Sequence, residues 1–208
     1  MILWKTAVSA VLNQNNNSAE GGQTYRQRIP SSDISNAGRP YTRVTFNASS
    51  TEALTLNPIY IGQRADSGDA YDFQATPVEL KFSGSSGFAI GAGQTIKSDP
   101  AEFMIPTGKD LIISFYTPGD ASHTGFAQIT KSGWSFYYKG GNDAATVNAT
   151  GYNAANGYLI NVSLVEAGTT GGGGIGISPY PILTKRWWQG WRQKAGLWQP
   201  KELGLTTT

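Results

Sequence analysis

Hydrophobic positions along this chain recur mostly with a period of two. Val78, Leu80 and Phe82 alternate with polar neighbours in Thr76-Pro-Val-Glu-Leu-Lys-Phe82, and Thr42, Val44 and Phe46 share one face of Tyr41–Phe46. That period predicts half-buried strands. Leu111-Ile-Ile-Ser-Phe-Tyr116 is apolar on both faces and is bounded by Thr107–Asp110 and by Pro118-Gly119. It predicts a central strand covered on both sides. Further strands are predicted at Tyr25–Ile29, at Leu54–Ile61 with Pro58 marking an edge or bulge, and at short runs over 88–90, 94–96 and 102–105. Three more follow at Gly125–Thr130, Trp134–Tyr138 and Tyr158–Val165. Trp4, Val8, Val11 and Leu12 fit a two-turn helix or a strand. This element either packs on the domain or makes an oligomer or attachment contact.

Short strands with turn signals between them and no convincing helix predict an all-β fold, an antiparallel β-sandwich of jelly-roll-like form with extended N- and C-terminal arms. The predicted organisation is an arm and flexible link over residues 1–24, the sandwich over 25–167, a Gly-rich linker over 168–177 and a tail over 178–208.

Composition sharpens this picture. Charged residues make up 14% of the 208, and Gly, Ser, Thr and Asn abound, as in a turn-rich β protein. No cysteine is present, which excludes disulfides and thiolate metal sites. Net charge is +2, but Lys185, Arg186, Arg192, Lys194 and Lys201 against Glu202 give the tail +4 and leave the rest at −2. A basic tail on a mildly acidic body points to an attachment segment and away from a nucleic-acid domain. No run approaches the roughly 18 apolar residues of a membrane span. Met1–Leu12 has a minimal apolar stretch and no clear cleavage site after it, so a signal peptide is not expected.

The chemical candidates are few. Asp120, Ser122 and His123 are near neighbours in one loop and cannot line up as orienter, nucleophile and base. His123 is the only histidine, and no catalytic residues are assigned. Asp66, Asp69 and Asp72 read as a solvated turn, because their spacing matches no cation loop. Gly171–Gly176 lacks the Lys-Ser/Thr of a phosphate loop. No metal and no cofactor is expected.

Aromatic residues carry the remaining candidates. Trp134, Phe136 and Tyr138 fall on one face as predicted core, with Tyr137 on the other. Tyr71, Phe73, Tyr137 and Tyr152 are the candidate glycan or protein contacts, since flat rings offer area at little entropic cost. Four of the six tryptophans lie in the tail. There Arg186, Trp187, Trp188, Trp191, Arg192 and Trp198 are the candidate partner anchors, Trp and Arg being enriched in binding hot spots. The tail binds a neighbouring subunit, folds back, or lies on a membrane surface; Gly190 and Gly196 weaken the helix the last would use.

Four stretches in order carry a family resemblance. They are Arg43-Val-Thr-Phe-Asn47 with Glu52-Ala-Leu-Thr-Leu-Asn-Pro-Ile-Tyr-Ile-Gly62, then Pro77-Val-Glu-Leu-Lys-Phe-Ser-Gly84, then Ile90-Gly-Ala-Gly-Gln-Thr-Ile-Lys-Ser-Asp-Pro100, then Ile105-Pro-Thr-Gly-Lys-Asp-Leu-Ile-Ile-Ser-Phe-Tyr116. Together they resemble the N-terminal β-sandwich that precedes the catalytic domain of some secreted SGNH/GDSL-type hydrolases. The likeness covers roughly half the chain. It departs where those enzymes would open a catalytic domain with Gly-Asp-Ser. Here Gly119-Asp120-Ala121-Ser122 stands instead, and no Asp-x-x-His follows. The resemblance implies the accessory module without the hydrolase, similar to carbohydrate-binding sandwiches.

The resulting expectation is a non-enzymatic structural or accessory protein of a bacteriophage virion: a capsid decoration, head-fibre or tail-fibre component. Its partners would be other virion proteins, a host-surface glycan and further copies of itself, with no nucleic acid. It would be assembled in the host cytoplasm. A secreted carbohydrate-binding module is the alternative, and a degenerate SGNH-type hydrolase fragment is the third.

Overall fold

The computed structural model describes residues 1–119 and 124–171. Ile2–Thr169 forms one compact unit. A second unit takes Met1 with Thr170–Thr208, most of which falls outside the described residues.

In chain order the strands are β1 (Ile2–Ser9), β2 (Gln14–Ala19), β3 (Gln23–Ile29), β4 (Tyr41–Asn47), β5 (Leu54–Leu56), β6 (Ile59–Gln63), β7 (Val78–Glu79), β8 (Phe88–Ile90), β9 (Thr95–Lys97), β10 (Leu111–Thr117), β11 (Thr124–Gly140), β12 (Asn153–Ile160) and β13 (Val162–Thr170). One sheet has the order β1-β13-β4-β9. A seven-stranded sheet has the order β12-β11-β3-β10-β6-β7, with β2 added on β11, and β5 pairs with β8. The registered pairs are antiparallel. No helix among the described residues is long and apolar enough to cross a membrane.

One core joins the sheets. Val44 and Phe46 of β4 and Val162 and Val165 of β13 belong to the same buried cluster as Tyr25, Ile29, Ile61, Ile113 and Phe115 of the larger sheet. Phe46 and Phe115 meet edge to face at 6.2 Å across the interior. Burial of such rings is the main stabilising term. The fold is therefore an all-β antiparallel sandwich.

β10 is the predicted doubly covered strand. Leu111, Ile112, Ile113, Ser114 and Phe115 are all fully buried, with β3 on one side and β6 on the other.

Elsewhere the structure corrects the sequence-based segmentation. Residues 54–61 are not one strand: the chain leaves β5 and enters β6 in another sheet at Pro58, which has no N–H for a ladder. The Asn57 N–H and the Pro58 carbonyl instead pair with the backbone of Tyr116. β5 accepts β8 closely because a Cβ at Gly87 would collide with the Leu56 carbonyl.

The expected arm and link over 1–24 are largely sheet. β1 contributes Ala7 and Val8 to the core. β2, though polar and Asn-rich, is built on β11 by backbone pairing, which a hydrophobic pattern does not report. Trp4 lies in β1 with the Arg43 guanidinium 4.2 Å from its ring centre, beside the Arg43–Glu166–Lys97 ion cluster.

Two predicted strands are one: β11 runs from Thr124 to Gly140, with its register to β12 broken between Thr130 and Ser135. Its first half pairs with β2 and its second with β3. Gly133 takes φ +82° in that bulge. The fully buried Gln27 fills the gap. Its amide nitrogen shares two N–H donors among the carbonyls of Arg28, Ser135 and Tyr158 at 3.0, 3.0 and 3.3 Å, and its oxygen accepts from the Ile160 N–H at 2.9 Å. The predicted run 76–82 is a strand only at Val78–Glu79, although Leu80 and Phe82 are buried. The sheet continues past Ala167 to Thr170, into the predicted linker.

Candidate functional site

The alternation of β3 sends Tyr25, Gln27 and Ile29 inward and Thr24, Arg26 and Arg28 outward. Each direction builds a distinct aromatic site.

Inward, antiparallel pairing sets Tyr25 opposite Tyr138 and Gln27 opposite Phe136. Phe136 in turn lies opposite Ala155 of β12. Tyr25 stacks on Tyr138 at 6.2 Å and lies 6.2 Å from Phe136. Behind it Phe126 and Phe115 stand at 4.7 and 5.9 Å, so the rings continue into the core. Above these rings opens a cleft of about 370 Å³ lined by Asn16, Glu20, Gln23, Tyr25, Phe136, Tyr138 and Ala155. That volume is in the range of small-molecule sites.

The polar rim is held in place. The Thr117 hydroxyl lies 3.0 Å from the carbonyls of both Glu20 and Gln23, which share its one proton, and accepts from the Gln23 N–H at 3.3 Å. Gln23 Nε2 donates to the Glu20 carboxylate at 3.1 Å. The Tyr25 hydroxyl accepts the Glu20 N–H at 3.1 Å. Burial pushes the Tyr25 phenol up to about 12, with the Glu20 backbone contact acting the other way, so it stays a neutral hydroxyl. The lining thus offers ring faces and edges below and a carboxylate and amides above.

Outward, the four aromatic residues singled out in the sequence do come together, around Arg26. This guanidinium is fully buried. It donates to the carbonyls of Tyr71 at 2.6 Å, Asp143 at 2.9 Å and Thr146 at 2.5 Å. It lies 4.7 Å from the Phe73 ring centre and 5.0 Å from that of Tyr152. Tyr71 packs on Tyr152 at 4.8 Å and on Tyr137 at 5.3 Å. Burial lowers the Arg26 pKa, opposed by Tyr152, Asp72 and Asp143. Burial also raises Tyr152 to about 12.

The expectation of an exposed contact is corrected for two of these rings: Phe73 is 1% exposed and Tyr137 8%. Loops 64–77 and 141–152 close over the sheet here, and their carbonyls need donors that Arg26 supplies. Gly62 lets Phe73 in, since a Cβ there would come within 2.6 Å of the ring. Tyr71 and Tyr152 keep partial exposure at the margin.

The acidic turn is engaged locally. Asp66 pairs with Lys109 at 2.9 Å, Asp69 accepts from the Tyr71 hydroxyl at 2.7 Å, and Asp72 accepts from the Asp69 N–H at 3.1 Å. Among the described residues no group of three or more His, Cys, Asp or Glu is placed to hold a metal. Asp120, Ser122 and His123 lie outside the described residues, as do Arg186, Trp187, Trp188, Trp191, Arg192 and Trp198.

Sequence reasoning placed Trp134, Phe136 and Tyr138 together but missed Tyr25, Glu20 and Gln23 as their neighbours. The only local sign was Tyr25 in an alternating run. Comparison of the sequence with protein-family models and with curated proteins finds no match.

Proposed function

We propose that the chain is a non-enzymatic recognition module whose cleft holds a neutral sugar unit, carried on a larger assembly of the bacteriophage-virion kind. The cleft carries this reading. A sugar has apolar C–H faces and a rim of hydroxyls. Partly exposed Tyr138, with Tyr25 and Phe136 behind it, supplies the flat surface. Glu20, Gln23 and Asn16 supply acceptors and donors at the edge. A single shallow cleft of this kind binds weakly, and display of many copies on a particle converts weak contacts into avidity. The basic, Trp-rich segment 178–208 is the proposed attachment to that assembly, by its composition.

Binding is tested with a glycan array followed by calorimetry on the best hit. Tyr138→Ala is expected to weaken binding at least tenfold and Gln23→Ala by a smaller factor, with the far-ultraviolet circular dichroism unchanged. Retention of full affinity in both variants would sink the cleft reading. Deleting residues 178–208 is expected to leave sugar binding intact and to abolish incorporation into the assembly.

A further inference from the structure

Five strands end the two large sheets: β1 and β9 in one, and β12, β7 and the off-path β2 in the other. An open edge is a template for pairing with another chain, and proteins blunt such edges with shortness, charge or covering groups. Three of these edges are blunted. β7 has two residues and carries Glu79 beside Lys81. β9 has three residues and ends in Lys97. β1 carries Lys5; the Thr6 carbonyl accepts from the Asn36 amide at 2.8 Å and the Ala7 carbonyl from the Ser35 N–H at 2.8 Å. β2, off the main path, lacks charge, but a covering contact engages it: the Asn15 amide donates to the Ser50 hydroxyl at 2.9 Å and accepts the Ser50 N–H at 3.1 Å.

β12 has none of these guards. Its eight residues, Asn-Ala-Ala-Asn-Gly-Tyr-Leu-Ile, include no charge and no proline. Its last two residues, Leu159 and Ile160, are fully buried. Its first half is open, with Asn153, Ala154 and Asn156 exposed and Ala155 half-buried.

We propose that this edge pairs with the β12 edge of a second copy of the chain, in antiparallel fashion about a two-fold axis. Charge selects the occupant. An uncharged strand can face itself without the like-charge repulsion that Lys5 or Lys97 would bring at other edges. The exposed Asn153 adds a side-chain donor and acceptor, and the Asn156 amide NH2 adds donors while its Oδ1 accepts from the Ser135 hydroxyl at 2.8 Å. An axis normal to the sheet keeps the same face of both sheets on the same side. Because Ala155 also lines the cleft, pairing would place two clefts side by side on one surface. The pairing does not depend on the cleft binding sugar; only the bivalence does.

Sedimentation velocity of the full chain tests it. The expected result is a concentration-dependent shift from 22.2 kDa toward twice that mass. Asn153→Lys with Ala154→Lys is expected to return the mass to that of the monomer at an unchanged unfolding midpoint. Leu3→Lys on β1 is expected to leave the dimer intact. In the unaltered chain, amide exchange over residues 153–156 should slow as concentration rises, which covers the case of a variant that folds poorly. A monomer persisting to about 100 μM, where mass action favours association, would overturn the proposal. So would a dimer that survives the β12 lysines or is lost in Leu3→Lys.

Discussion

The two faces of β3 are sealed by different physics. Inward, Tyr25 and Ile29 meet the apolar side chains of the opposing sheet, and rings from Phe46 to Tyr138 form a continuous aromatic interior. Outward, two loops close over the strand. Loops bring backbone carbonyls with them, and a purely apolar side chain would leave those carbonyls without donors. Arg26 answers with three carbonyl bonds and two ring contacts, while the Thr24 hydroxyl donates to the Gly141 carbonyl at 2.7 Å and accepts the Asp143 N–H at 2.8 Å. A sheet can cover a sheet with hydrocarbon alone. A loop needs polar groups beneath it, and here one guanidinium organises both loops.

That contrast can be broken most forcefully from the inner face. Phe115→Ala removes a fully buried ring that touches Tyr25, Phe46 and Phe126. It is expected to cost about 3–5 kcal/mol in urea unfolding, as ring-to-Ala changes in cores do. The loss should be global, with amide exchange faster across both sheets.

Arg26→Met keeps most of the side chain's bulk and strips the donors from three carbonyls. The expected cost is about 3 kcal/mol, from buried groups left without partners. Here the damage should be local. Exchange should quicken over residues 64–77 and 141–152 while β10 stays protected. Equal loss of protection in β10 would merge the two faces into one cooperative unit and defeat the comparison.

The smallest expected effect is in acid. Burial disfavours the charge on Asp110, but the Ser31 N–H at 2.9 Å and the Arg28 guanidinium at 2.6 Å outweigh it and hold the carboxyl below its ordinary range. Glu166 is likewise disfavoured by burial and held low by Arg43 and Lys97. A depressed folded-state pKa contributes stability above the unfolded value and loses it as pH falls through the folded one. Stability should therefore decline on acidification below about pH 4, the unfolded carboxylate range. Asp110→Asn should flatten that decline and leave the neutral-pH midpoint slightly lower. An unchanged acid limb in this variant would show that the pair contributes nothing there.

Much of the sandwich was legible because period-two alternation is a local property. Val44, Phe46, Leu80, Phe82 and the doubly apolar β10 announce their burial within a few residues. The Trp134–Tyr138 run announces a face in the same way. β2 did not, because its polar residues enter a sheet through backbone pairing alone. The split at Pro58 was visible as a break, but the change of sheet depended on partners in β8 and β10. The cleft was half legible: Phe136 and Tyr138 stood out, while Glu20 and Gln23 gained their places only through Thr117, far along the chain.

Composition and alternation by themselves determined an all-β antiparallel class, a central strand at Leu111–Tyr116, and an aromatic-rich chain without cysteine. Those features follow from side-chain polarity at neighbouring positions. Tertiary structure alone decided that Arg26 and Gln27, adjacent and both polar, are each fully buried. Arg26 is claimed by carbonyls at Tyr71, Asp143 and Thr146, and Gln27 by the bulge in β11 and the edge of β12. Which polar residue a fold buries is set by which distant backbone groups lack a partner, and no local pattern carries that information.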